Sequence, residues 1–175
     1  GLDYTLSTYA SEGGNFGLFT SSEVMKRLNA KMFAEARRLG VKWILGGECG
    51  HMWRVIHQYM DTMNGPPEFG ETPKSPITGT VFDNAAATKM VHITEFTADL
   101  IRNDKLRLDP SRNDKHVVTY HDSCNPSRAM GLFEEPRYVL RNVCNNFYEM
   151  PENTIREQTF CCGSGSGLNT EEIME

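Results

Sequence analysis

The chain has 175 residues, 18 Lys and Arg against 23 Asp and Glu, a formal net charge of -5 and 39% hydrophobic residues, which is an ordinary globular composition long enough to bury a core. A pI near 5.6 removes the basic face that a phosphate backbone requires, so no nucleic-acid partner is expected. No stretch approaches the roughly 18 to 20 apolar residues of a membrane span and Gly1-Leu2-Asp3-Tyr4 is no basic-then-apolar leader, which predicts a cytoplasmic protein with no direct membrane span. The lack of an initiator Met and the ending at Ile173-Met174-Glu175 suggest a piece of something longer.

In chain order, Thr20 can cap and Glu23 can reach back, and Met25, Leu28, Met32, Ala36 and Leu39 share one face, so residues 20–39 read as an amphipathic helix stopped by Gly40. Val41 to Leu45 is a short apolar strand, Gly46-Gly47-Glu48-Cys49-Gly50 breaks it, and a helix runs from His51 to Met63. Gly and Pro residues crowd 64–80, which reads as a surface excursion without regular structure, a docking loop or lid. Met90-Val91-His92-Ile93 resumes regular structure, and a helix follows with Ile93, Phe96, Leu100 and Ile101 on a shared side. After a turn at 109–114, His116 to Tyr120 reads as a strand, and Pro136 opens a helix through Val139, Leu140, Val143 and Phe147. Residues 147–150 and 157–160 are short strand candidates, the latter running into Cys161-Cys162-Gly163-Ser164-Gly165-Ser166-Gly167, after which Asn169 offers a helix cap. The alternation predicts an α/β fold with a mainly parallel sheet.

Five Cys is an odd number and they lie clustered toward one end, which favours metal or redox use over a disulfide framework. Cys49, Cys124 and the Cys161-Cys162 pair each follow an expected strand, so all would emerge at the carboxyl edge of a parallel sheet, where such folds place their sites. Thiolates are soft ligands for iron-sulfur clusters or zinc. The Gly-Ser run after Cys162 lets backbone amides approach an anionic group. Cys144 lies on an apolar helix side and reads as core. His51 and His121 flank the cysteine loops and can donate protons to a leaving thiolate, although a structural role is the commoner one. Glu48, Arg54 and Arg128 sit beside the loops as solvated charges or contacts for a partner peptide. Met25, Met32, Met52, Met60, Met63 and Met90 fall at core spacings and need no cofactor to explain them.

Cys124, thirty-six intervening residues and then Cys161-Cys162-Gly163 resemble the start of the CCG motif of the cysteine-rich domain found in the B-type subunit of heterodisulfide reductase and its relatives. The wider text, Gly46-Gly47-Glu48-Cys49-Gly50-His51-Met52-Trp53-Arg54 and His121-Asp122-Ser123-Cys124-Asn125-Pro126, is similar to the DsrK subunit of the sulfite-reductase-associated membrane electron-transfer complex. The resemblance implies two Rossmann-like pseudo-repeats, a first half over 1–108 and a second half over 109–175 that carries the CCG motif and is truncated, because the family's last cysteine pair falls beyond Glu175. It further implies a noncubane [4Fe-4S] cluster that makes or breaks disulfides in one-electron steps, with Cys124, Cys161 and Cys162 as ligands and reacting centre, Gly163 beside it, and Cys49 as a further ligand or near neighbour. The implied partners are a small sulfur-carrier protein of the DsrC type, whose disulfide or trisulfide is the substrate, and the other subunits of a membrane electron-transfer complex, through which the chain would associate with the membrane. Two other readings stand beside it. Cys49, Cys124, Cys161 and Cys162 suffice in number for a structural zinc site, but paired Cys-x-x-Cys hooks are missing. The Gly-rich run suggests a nucleotide-binding module, but it lacks the Gly-Lys-Ser/Thr ending of a P-loop.

Overall fold

A computed structural model describes residues 2–8, 21–47, 49–63 and 71–163. Helix α1 spans Ser22–Leu39 and buries Met25, Asn29, Met32, Phe33 and Ala36 along one stripe, with Leu28 and Leu39 only half-buried. Its cap is Ser21, whose hydroxyl accepts the Val24 amide at 3.1 Å, and not Thr20, which lies outside the described residues. It stops at Gly40, whose φ of 65° is left-handed and whose amide returns to Arg37. Strand β1 is Ile44–Gly46, and helix α2, Gly50–Met63, begins four residues after it.

Strand β2, Met90–His92, pairs in parallel with β1, Ile44 opposite Met90 and Gly46 opposite His92. Successive β2 side chains face opposite ways, so Met90 enters a core of Met32, Phe33, Met52, Trp53 and Ile56 on one side while Val91 enters Phe82, Ala85, Phe96 and Leu100 on the other. Full burial of side chains such as Met52, Val55 and Ile56 stabilises the fold by about 1.5–3 kcal/mol each. Helix α3, Ile93–Arg102, starts directly on β2 through a capping box: His92 Nδ1 accepts the Thr94 amide and Glu95 accepts the His92 amide at 2.8 Å. Ile93, expected on its apolar face, is exposed, because the cap places it on the first turn's outer side. Of the 64–80 excursion, residues 64–70 lie outside the described residues. Lys74 and Val81 form an antiparallel bridge, so the described part is more ordered than its Pro content predicts.

The second half departs further from expectation. His116–Tyr120 is not a continuous strand: Val118 alone bridges Phe147 in parallel, donating to Asn146 and accepting from Tyr148, each at 2.9 Å. Val117 is 79% exposed, and β propensity without packing does not extend a ladder. Helix α4 is Glu134–Val143 and begins two residues before Pro136, which sits where an amide has no helical partner. It ends where Asn113 donates to the Val143 carbonyl at 2.6 Å, so Phe147 belongs to the bridge and not to the helix. Residues 157–160 form no strand; Arg156–Gln158 is a short 3-10 turn entered through a left-handed Arg156, φ 52°. Helix α3 packs on α4, and the one-turn π-helix Cys124–Ala129 packs on α2 and on this turn. The whole is mixed α/β with a small parallel sheet. Among the described residues no helix is long and apolar enough to cross a membrane.

Candidate functional site

Two of the expected cysteine positions open helices. Cys49 precedes α2, and Cys124 is the first residue of the π-helix. These two helix starts lie against one another. A Cβ on Gly50 would meet Pro126 Cδ at 2.8 Å, and the Arg54 guanidinium donates to Asn125 Oδ1 at 3.5 Å. Asn125 in turn points its amide at Cys124 Sγ, 3.5 Å away. Arg54 thus joins the internal frame of the site.

The third loop arrives from the 3-10 turn. Cys124 and Cys161 thiols are within hydrogen-bonding reach of one another, and burial, followed by the neighbouring Cys161 and Cys162 sulfurs, pushes the Cys124 thiol up. Without a cation beside it, Cys124 is therefore held as a thiol more firmly than a free cysteine. Cys161 and Cys162 are exposed and Cys124 is half-buried, so the site opens to solvent. Gly163 takes a φ of 78°, a left-handed conformation that suits glycine, and its amide donates to Cys161 Sγ at 3.4 Å. Gly163 therefore serves the sulfur through its backbone. The remaining Gly-Ser run and Asn169 lie outside the described residues.

Cys49 sits differently: its loop adjoins the π-helix, but its side chain packs against the Met32, Phe33 and Met52 cluster. Cys144 is buried, as a core residue should be. Among the described residues no group of three or more His, Cys, Asp or Glu is arranged to hold a metal ion. The structure brings Cys124 and Cys161 within reach of one another with Cys162 nearby; it is the sulfur chemistry of these side chains, and not an assembled three-ligand geometry, that fits an iron-sulfur cluster.

Three residues that sequence reasoning passed over frame these loops. The Arg137 guanidinium makes a two-pronged bond to Asp122 at 2.7 and 2.6 Å, with both side chains fully buried. The Asp122 carbonyl accepts from Thr159 Oγ1 at 2.9 Å. Arg128, read as a solvated charge or a partner contact, reaches inward to the Thr159 carbonyl at 3.3 Å. The sequence signal lay in positions, Asp122 two before Cys124 and Thr159 two before Cys161, which no residue pattern marks out.

The segment from Val118 to Glu175 matches the family model of the CCG cysteine-rich domain. Over those residues the chain is similar to that domain. The described part of that match holds Cys124, Cys161 and Cys162, the Asp122–Arg137 pair and α4. The chain is 53% identical over 188 aligned positions, covering 100% of its length, to the Hdr-like menaquinol oxidoreductase iron-sulfur subunit of Archaeoglobus profundus. It is 54% identical, again over its full length, to the Hdr-like menaquinol oxidoreductase iron-sulfur subunit 2 of Archaeoglobus fulgidus. It spans about a third of the length of both relatives, 34%. A shorter match, 43% identical over 81 residues, 46% of this chain and 19% of the relative, is to a subunit of the dihydromethanophenazine:CoB--CoM heterodisulfide reductase of Methanosarcina mazei. No solved structure matches significantly.

Proposed function

We propose that this chain is the cysteine-rich part of a heterodisulfide-reductase-like electron-transfer subunit whose substrate is a disulfide or trisulfide. The observation that carries the reading is the convergence of Cys124 with Cys161 and Cys162 inside the CCG segment, at a site open to solvent. The chain's relatives are named as iron-sulfur and heterodisulfide reductase subunits, which supports the redox class.

In this reading Cys124, Cys161 and Cys162 ligate a noncubane [4Fe-4S] cluster, and Cys49 is a further ligand or lies at its edge. When bound, the cluster supplies one-electron chemistry, so that two electrons and two protons convert a disulfide to two thiols. The chain's own groups do the rest. The Gly163 amide and the Asn125 side-chain amide hold negative charge on the Cys161 and Cys124 sulfurs. Phe160, 69% exposed immediately before Cys161, offers an apolar contact to an incoming sulfur-bearing segment.

The finer reading follows the resemblance to DsrK. The substrate is the cysteine arm of a small sulfur-carrier protein of the DsrC type, the setting is dissimilatory sulfur metabolism with sulfite reduction, and partner subunits hold a cytoplasmic chain at the membrane. The two halves, residues 1–108 and 109–175, are read as Rossmann-like pseudo-repeats. In support, the first half runs β1, the Cys49 loop, α2 and the parallel partner β2, and the second runs in the same order with Val118, the Cys124 loop, α4 and Phe147, where a single parallel bridge stands in place of the strand pair.

The test is reduction of a disulfide-linked carrier protein by the full-length protein supplied with electrons from a reduced viologen, without oxygen. Cys161→Ser and Cys162→Ser are each expected to lower the rate more than about a hundredfold. Undiminished rates in both variants would contradict the proposal.

A further inference from the structure

Burying an arginine and a carboxylate together is a weak way to stabilise a fold, since well-packed apolar residues of similar volume often do as well or better. What such a pair supplies instead is geometry: a planar fork admits one arrangement of its partners. In this protein the fork is surrounded by the segments that carry the cysteines. Arg137, fully buried on α4, donates two bonds to Asp122, one to Glu149 at 2.9 Å and one to the Phe133 carbonyl at 2.9 Å. Its guanidinium also lies 5.3 Å from the ring centre of Tyr120, whose hydroxyl meets Ser127 of the π-helix at 3.3 Å. Asp122 passes the constraint on: its Oδ2 accepts the Arg156 amide at 2.7 Å, and its carbonyl accepts the Thr159 hydroxyl. The bond to Arg156 lies at the left-handed residue that turns the chain toward Cys161. Asp122 therefore holds the segment before Cys124 and the segment before Cys161 at the same time, with no more than two residues between each bonded group and its cysteine on the Asp122 and Thr159 sides.

We propose that the buried Asp122–Arg137 pair is the positioning element of the cysteine site, setting the register of the Cys161-Cys162 loop against Cys124 through Arg156 and Thr159. The inference rests on the reading of these cysteines as the working site, and its readout is independent of any cluster. Asp122 and Arg137 are positioning residues: the pair acts only through the loops it ties.

The test is the apparent equilibrium between Cys124 and Cys161 thiols and their disulfide in anaerobic full-length apo-protein, set with glutathione buffers and read by peptide mass spectrometry. The key variant is the apolar exchange Asp122→Leu with Arg137→Met, for which packing predicts an undiminished melting temperature. A register role predicts that disulfide pairing nevertheless falls about tenfold or more, because small displacements of paired groups cost that much in effective concentration. Thr159→Val, which removes a single hydroxyl at nearly constant volume, is expected to lower pairing in the same direction and stands as the deciding variant if the double exchange fails to fold. Pairing equal to wild type in the folded double variant, or in Thr159→Val, would overturn the proposal. Iron content of the wild type, measured separately, keeps the two readings distinct. An iron-free wild type with pair-dependent thiol coupling would sink the cluster alone, and an iron-loaded wild type with pair-independent coupling would sink only the positioning role.

Discussion

His57 and His92 carry the clearest consequence of burial. His57 stacks on Trp53 with ring centres 3.8 Å apart, and His92 meets the same indole edge-on at 4.9 Å. Burial pushes both imidazoles down to about 4, so each is neutral in the fold near pH 7. In the unfolded chain the same groups titrate near 6.5. Protonation therefore favours the unfolded state, and the stability they contribute is fully present above about pH 6.5 and is lost as the pH falls toward about 4. Melting temperature should decline across that window, with His57→Gln and His92→Gln each flattening the decline; a flat profile in the wild type would contradict it. Glu95 works the other way, since burial holds its carboxyl above the ordinary range. For Asp122, burial opposes ionisation, but the Arg137 bonds and the Arg156 amide outweigh it and the net direction is down. Its contribution is thus present above the ordinary carboxylate range and is lost only as the pH falls through its lower folded value, below the histidine window.

At the scale of elements, the start of α2 and the π-helix form the joint that decides where Cys124 sits. Ala is favoured over Gly by roughly 0.5–1 kcal/mol within a helix, yet at Gly50 a Cβ would press on the Pro126 ring at 2.8 Å. Gly50→Ala is expected to push the π-helix away, cost about 1–3 kcal/mol net and expose Cys124 to alkylation, which mass-spectrometric thiol labelling would detect; unchanged labelling would show that the joint tolerates the methyl. Gly47 is tighter still: its φ is 119°, and a Cβ there would stand 2.7 Å from His92 Nε2. The elements themselves were legible where periodicity and punctuation agree. The stripe of Met25, Met32 and Ala36 with Gly40 behind it marks α1, and the glycines around Cys49 separate β1 from α2. They were illegible where tertiary bonds override propensity. Residues 157–160 look like a strand, but the Asp122 carboxylate captures the Arg156 amide and turns the chain instead. The cysteines of the site could be read from their types and spacing, whereas Arg137 reads as one polar residue on an amphipathic helix until its burial is seen.

For the whole molecule, the first half contributes the extended core and the parallel pair β1–β2, while the second half contributes the sulfur donors, and α3 against α4 and α2 against the π-helix join them. This arrangement places a half-buried Cys124 between a packed frame and the exposed Cys161-Cys162 loop. The central claim is that these cysteines hold an iron-sulfur cluster. Its most direct test is iron and acid-labile sulfide per full-length chain purified without oxygen, in wild type and in Cys161→Ala. A loss of about four iron and a matching loss of sulfide in the variant, with disappearance of a paramagnetic signal seen in the oxidised wild type, is the predicted result. Unchanged iron in Cys161→Ala, or a single zinc lost in its place, would contradict the account.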